Sequence, residues 1–159
     1  MDKLPVDRSN AERLQLGPDQ LTVLTTSAQT NGALFAVEVR MPPGGGPPVM
    51  HRHDPDELYH VLEGEFTFYI GDPAERVERI TANSGQVMPL AGGTPHTVRN
   101  ESDRDAVAFV VHAPGPPMEQ FTRAAAKLAT TGEVDMTTLL RLADRHGITM
   151  LGPVPVPAG

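Results

Sequence analysis

From Leu21 onward the chain is a series of short apolar runs broken by turn residues. Residues 21–26 (LTVLTT) and 33–41 (ALFAVEVRM) read as strands, the second ending at Pro42-Pro43. The run Gly44-Gly45-Gly46-Pro47-Pro48 is a loop that no regular element crosses. Residues 56–62 and 65–70, parted by Glu63-Gly64, alternate apolar and polar positions and predict a hairpin. Residues 77–81, 86–90, 96–99 and 106–112 continue the series. Many short strands with turns between them predict an all-β domain, an antiparallel sandwich or barrel.

The period then changes. After Ala113-Pro114-Gly115, the residues Met118, Phe121, Ala125 and Leu128 recur at helical spacing, with Pro116 and Pro117 in the first turn and Gly132 past the end. Asp135 is placed to cap a second helix whose apolar stripe is Met136, Leu139, Leu140 and Ala143, and Gly147 stops it. The expected organisation is an N-terminal arm or edge strand (1–20), a barrel (21–113), a helical extension packed on it (114–151) and a Pro-rich tail (152–159). The helices alone offer too little core to stand as a separate domain.

Composition narrows the function classes. Of 159 residues, 39% are hydrophobic, which suits one folded domain, but aromatics are only 4%, so the core must be mostly aliphatic. The net charge is −7 with no basic stripe, which argues against nucleic acid or an anionic membrane surface as partner. No apolar run reaches the length of a membrane span, and residues 1–5 lack the apolar stretch of a secretory leader, so a cytoplasmic protein is expected. With no cysteine, any metal must sit on nitrogen and oxygen.

The segment His51-Arg52-His53-Asp54-Pro55-Asp56-Glu57 carries the chemistry. His51 and His53 are two apart, so on an extended strand both leave from one face, and Glu57 shares their parity. His96, after the Gly93-Thr94-Pro95 turn, is the natural third imidazole. Three imidazoles and a carboxylate suit one divalent transition metal, whether Fe, Mn, Ni, Co, Cu or Zn. His60 has the opposite parity and is expected to face away. Tyr59 shares the parity of Glu57 and, with Phe68 and Met88, is expected to line a substrate pocket. Phe35, Val37, Phe66 and Phe109 suit either cavity wall or core. His112, at the end of the last barrel strand, is expected at a cap or on the surface, the alternative being a hydrogen bond to the site.

The full spacing resembles the cupin superfamily. Gly45, His51, His53, Glu57 and Gly64 are similar to its first motif, and Gly85, Gly93, His96 and Asn100 to its second. One position departs: Ala91 stands where the family usually has proline, and Pro89 lies two residues earlier. The resemblance implies a jelly-roll β-barrel with His51, His53, Glu57 and His96 as the metal ligands. The later segments, His112–Gly115, Met118–Phe121 and His146–Ile148, resemble small bacterial monocupins related to quercetin dioxygenases. That likeness implies a metal-dependent dioxygenase of a small aromatic or enol-containing, flavonol-like substrate, with Glu57 as catalytic base. The alternatives are a metal-dependent cyclase or isomerase of a polyketide-like substrate, or a non-enzymatic ligand-binding cupin. The expected partners are a small-molecule substrate and a second copy of the chain, in a homodimer.

Overall fold

The structure is a computed structural model that describes residues 4–132 and 134–154. In chain order its strands are β1 (Arg13–Leu16), β2 (Asp19–Thr25), β3 (Phe35–Met41), β4 (Val49–Arg52), β5 (Asp56–Glu63), β6 (Glu65–Gly71), β7 (Val77–Asn83), β8 (Val87–Leu90), β9 (His96–Arg99) and β10 (Ala106–Ala113). Two helices follow, α1 (Pro116–Ala129) and α2 (Met136–Arg145), and then β11 (Thr149–Pro153). The strands form a six-stranded antiparallel sheet, β1-β2-β3-β10-β5-β8, and a five-stranded antiparallel sheet, β11-β4-β9-β6-β7. Two such sheets face to face, with helices beyond them, make the antiparallel sandwich or barrel that the strand pattern predicts, in the jelly-roll form that the resemblance implies.

Alternation decides what lies between the sheets. Val37 and Val39 of β3, Tyr59 and Val61 of β5, Phe66 and Phe68 of β6, and Ala108 and Val110 of β10 all turn inward and are buried. Phe35, Phe66, Phe68 and Val61 are fully buried, and each such side chain contributes about 1.5–3 kcal/mol over an exposed one. Phe109 falls on the other face of β10. It pairs with His60 across the β10–β5 ladder, so both stand outside the barrel.

The polypeptide must turn sharply between strands, and glycine is required at several places, two of which matter here. Gly46 has φ of 98°, and a Cβ there would lie 2.1 Å from the Val98 carbonyl oxygen. At Gly92 a Cβ would lie 1.9 Å from the Asp54 carbonyl oxygen. Both turns border strands that carry the site described below.

The capping signals of the second helix operate as expected, with Asp135 accepting a 2.7 Å hydrogen bond from the Thr138 amide. Its apolar stripe is only partly covered: Ala143 is buried, while Met136 and Leu140 are exposed. Helix α1 packs on β1 and β3. Its Glu119 accepts from the Ser27 amide at 2.7 Å, and its Arg123 reaches Glu12 at 2.7 Å. Helix α2 packs on α1 and β11.

The N-terminal segment takes the edge-strand alternative, and the C-terminal segment departs from a plain tail. Residues 13–16 pair with β2 as an edge strand of the larger sheet. Gly152 and Pro153, read from sequence as the start of the tail, belong to β11 and lie opposite Met50 and Val49 of β4. Proline is tolerated there because β11 is an edge strand, where a ladder donor can be absent. The rest of that tail, residues 155–159, and the first three residues of the arm lie outside the described residues.

Candidate metal centre

The two sheets each deliver part of one polar cluster in the apolar interior. His51 lies on β4 and His53 one residue beyond it, so the two-residue spacing sends both rings to one side. His96 opens β9 directly opposite His51. Glu57 comes from β5, in the other sheet, and the β10–β5 register sets His112 directly opposite it. Residues facing each other across an antiparallel pair project on the same side, so His112 joins the cluster.

The ligand-type nitrogens of His51, His53 and His96 all lie within 4.8 Å of one another. Each ring is tethered through its other nitrogen. His53 Nδ1–H donates to the Pro55 carbonyl at 3.0 Å, His96 Nδ1–H to that of Thr94 at 2.8 Å, and His51 Nδ1–H to that of Val49 at 3.3 Å. Such tethers fix the tautomer and leave Nε2 with a bare lone pair. The Nε2 atoms of His53 and His96 each stand 3.1 Å from Glu57 Oε2. His112 Nε2 stands 3.1 Å from the other oxygen, Oε1.

Burial opposes charge on these groups, and neighbours decide the result. For Glu57 burial pushes the carboxyl up, but His112 and the contacts with His112, His53 and His96 outweigh it and hold the group well below its ordinary range. Glu57 is therefore a carboxylate. For His51 burial dominates and, with help from His96, pushes the imidazole down to about 4. His96 is also pushed down by burial, but Glu57 wins and raises it. Tyr59 is driven well above its usual value by burial and then by Glu57, and stays a neutral phenol.

Converging lone pairs around a buried carboxylate repel one another unless a cation lies among them. Imidazole nitrogens with a carboxylate oxygen are the donors that borderline divalent ions prefer. The residues present thus fit a divalent metal ion, and the triad His51, His53 and His96 is suited to hold it.

His60 stands on the outer face of β5, opposite Val87 and Phe109, away from the cluster. Tyr59 and Phe68 are buried in the apolar core with ring centroids 5.2 Å apart, and Met88 packs against that core. His146 caps α2 and lies edge-on to Phe121. His112 is neither a cap nor a surface residue. It is only 6% exposed, stacks on Phe35 and bonds to Glu57. Met150 is also new to the site: it lies opposite His51 across the β11–β4 pair, so its side chain leaves on the same face. In the sequence, only the alternation of residues 106–112 pointed to an inward His112.

The cupin domain family matches residues 37–112, the segment that contains every side chain of the cluster apart from Met150 of β11. The chain carries a cupin domain across these residues. Among solved structures it is similar to the oxalate decarboxylase of Bacillus subtilis, with a TM-score of 0.60 and 19% identity. That match covers 69% of this chain but only 28% of the decarboxylase, so the likeness is to one part of a much longer protein. It is also similar to the protein TT1209 from Thermus thermophilus, with 27% identity, a TM-score of 0.56, and coverage of 70% of this chain and 97% of the other. An RmlC-like cupin from Shewanella frigidimarina matches at 16% identity and a TM-score of 0.58, covering 72% and 94%. Among curated proteins none matches closely enough to count as a relative. No helix among the described residues is long and apolar enough to cross a membrane.

Proposed function

We propose that this cupin is a dioxygenase that holds one divalent transition metal on His51, His53, His96 and Glu57 and acts on a small aromatic or enol-containing substrate of flavonol type. One observation carries the reading. The single carboxylate in the cluster is buried and sets Oε2 at 3.1 Å from Nε2 of both His53 and His96, so it is placed both to bind a metal beside them and to accept a proton. A metal bound there supplies Lewis acidity, lowering the pKa of a hydroxyl beside it. Glu57, once its own bond to such a metal loosens, takes the hydroxyl proton on Oε2 as general base, and the buried Tyr59 phenol, its pKa raised, stays available as a donor. The apolar walls from Phe35, Phe68 and Val110 exclude water and leave few polar groups to compete for the substrate. In such a reaction both atoms of dioxygen enter the products, and the four electrons that reduce them come from the substrate, through cleavage of a carbon–carbon double bond or of two carbon–carbon single bonds. Mn(II) centres are described for the oxalate decarboxylase that shares this fold, which supports manganese as one of the ions to try.

Oxygen-electrode assays of metal-loaded protein against flavonols and related phenols test the proposal. Oxygen uptake matched to substrate loss supports it. Turnover without oxygen indicates a cyclase or isomerase, and binding with no turnover indicates a ligand-binding cupin. The base role has its own test in Glu57→Gln, because general-base catalysis contributes about 10²–10⁴-fold. A fully metallated variant with near-normal turnover removes that role. We further propose that the protein works in the cytoplasm as a homodimer, the commonest closed assembly. A monomer mass by light scattering at working concentration refutes the dimer.

A further inference from the structure

Among the histidines of the cluster, His112 is held differently. The rings of His51, His53 and His96 each place Nδ1 against a backbone carbonyl. His112 instead places Nε2 against Glu57 Oε1 at 3.1 Å, and its Nδ1 is buried without a hydrogen-bond partner. A carboxylate only accepts, so a neutral His112 keeps its proton on Nε2 and donates it. The ring cannot easily turn to another arrangement, since it stacks on Phe35 with centroids 5.9 Å apart and planes 22° apart. The ladder register that faces His112 with Glu57 holds the two backbones in place as well.

We propose that His112 is a positioning residue that restricts Glu57 to one-oxygen coordination. Its Nε2–H occupies Oε1, so only Oε2 faces the histidine triad. Without that bond both carboxylate oxygens are free to chelate, and the second would take a coordination position otherwise open to a small exogenous ligand. The inference rests on the reading that the triad binds a divalent metal.

The first test uses unmodified, zinc-loaded, ¹⁵N-labelled protein and long-range ¹H–¹⁵N correlation of the histidine rings. The expected result is that His51, His53 and His96 are bound to zinc through Nε2, while His112 is unbound, protonated on Nε2 and bare on Nδ1. If no ring binds zinc, the metal reading itself fails. If the three bind but His112 carries its proton on Nδ1, or is bound to zinc, the metal reading stands and this inference is overturned. The second test compares His112→Gln, which keeps an N–H donor, with His112→Met, which has none, both loaded with cobalt(II). In His112→Met the cobalt absorption spectrum should change and azide affinity should fall by about tenfold or more, in line with the loss of a group that orients a metal ligand. His112→Gln should stay close to the unmodified protein. Equal behaviour of the two variants, at equal cobalt content, would show that the ring only fills space. If His112→Met does not fold, the ring spectrum of the unmodified protein decides.

Discussion

Glu57→Gln should separate what the carboxylate does for the fold from what it does for the metal. Without a cation, the carboxylate faces two imidazole Nε2 atoms at 3.1 Å inside the barrel. An amide of the same shape is neutral, and its N–H₂ can donate to those lone pairs while its oxygen accepts from His112. The metal-free variant should therefore melt at or above the metal-free parent. With metal the order reverses. Saturating metal at about 1,000 times Kd stabilises the native state by about 4.1 kcal/mol, or about 8–16 °C of Tm for a chain of this size. Loss of the only anionic donor should weaken binding at least as much as loss of an outer hydrogen-bonding partner, about 10–100-fold. At about 1.4 kcal/mol per decade, about 3–11 °C of the metal-induced gain then disappears. Differential scanning calorimetry with chelator and with graded Zn(II), Mn(II) or Co(II) measures both effects. A variant whose metal-free Tm falls by several degrees, or whose metal-induced gain equals the parent's, refutes the reasoning.

His60→Ala should leave metal content unchanged by elemental analysis, because His60 stands on the outer face of β5 opposite Val87; loss of metal would mean the register is wrong. Gly92→Ala should weaken metal binding by about 10–100-fold in a chelator competition, because its Cβ meets the Asp54 carbonyl in the turn where the Gly93 amide holds the His53 carbonyl at 2.8 Å. Native-like affinity would show that the turn relaxes without disturbing His53. For Asp19, burial pushes the carboxyl up from 3.8 to about 6, against the Gly46 amide and Arg99. A raised folded pKa means that ionisation costs stability as pH rises through the window from 3.8 to about 6. Asp19→Asn should thus melt higher than the parent at pH 7.5, by about 1 kcal/mol after allowance for solvent screening, and the advantage should vanish near pH 4. An equal gap at both pH values would show that charge is not the cause.

The side chains of the cluster were legible because parity is a local property. His51, His53 and Glu57 need only extended backbone to share a side, and the two glycine-bounded motifs place His96 beside them. The two-helix extension was equally local, read from Pro116, Asp135 and Gly147. What stayed hidden depends on which strands lie side by side. Nothing in residues 106–112 says that β10 is sandwiched between β3 and β5, and only that neighbourhood sets His112 on Glu57. Phe109 is subject to the same uncertainty and falls outside with His60. The start of β11 was read as part of the helical extension and its end as tail, because Gly152 and Pro153 are strong breakers, and pairing with β4 overrides both at a bulge after Met150.

The place of β11 bears on how the protein is made. Strand β4, which carries His51, has β9 on one side and β11 on the other, and β11 lies far down the chain beyond both helices. A nascent chain that has already emerged through β10 therefore has Glu57, His96 and His112 available, yet β4 still shows a bare row of backbone donors and acceptors. Such an edge invites pairing with a neighbouring chain. Binding of metal before β11 docks would lock the His51 ring onto a strand that is still open to a stranger, whereas prompt docking of β11 seals it. Ribosome-bound fragments ending between α2 and β11 should accordingly be an aggregation-prone stage of synthesis, and β11 acts as the molecule's own closing chaperone.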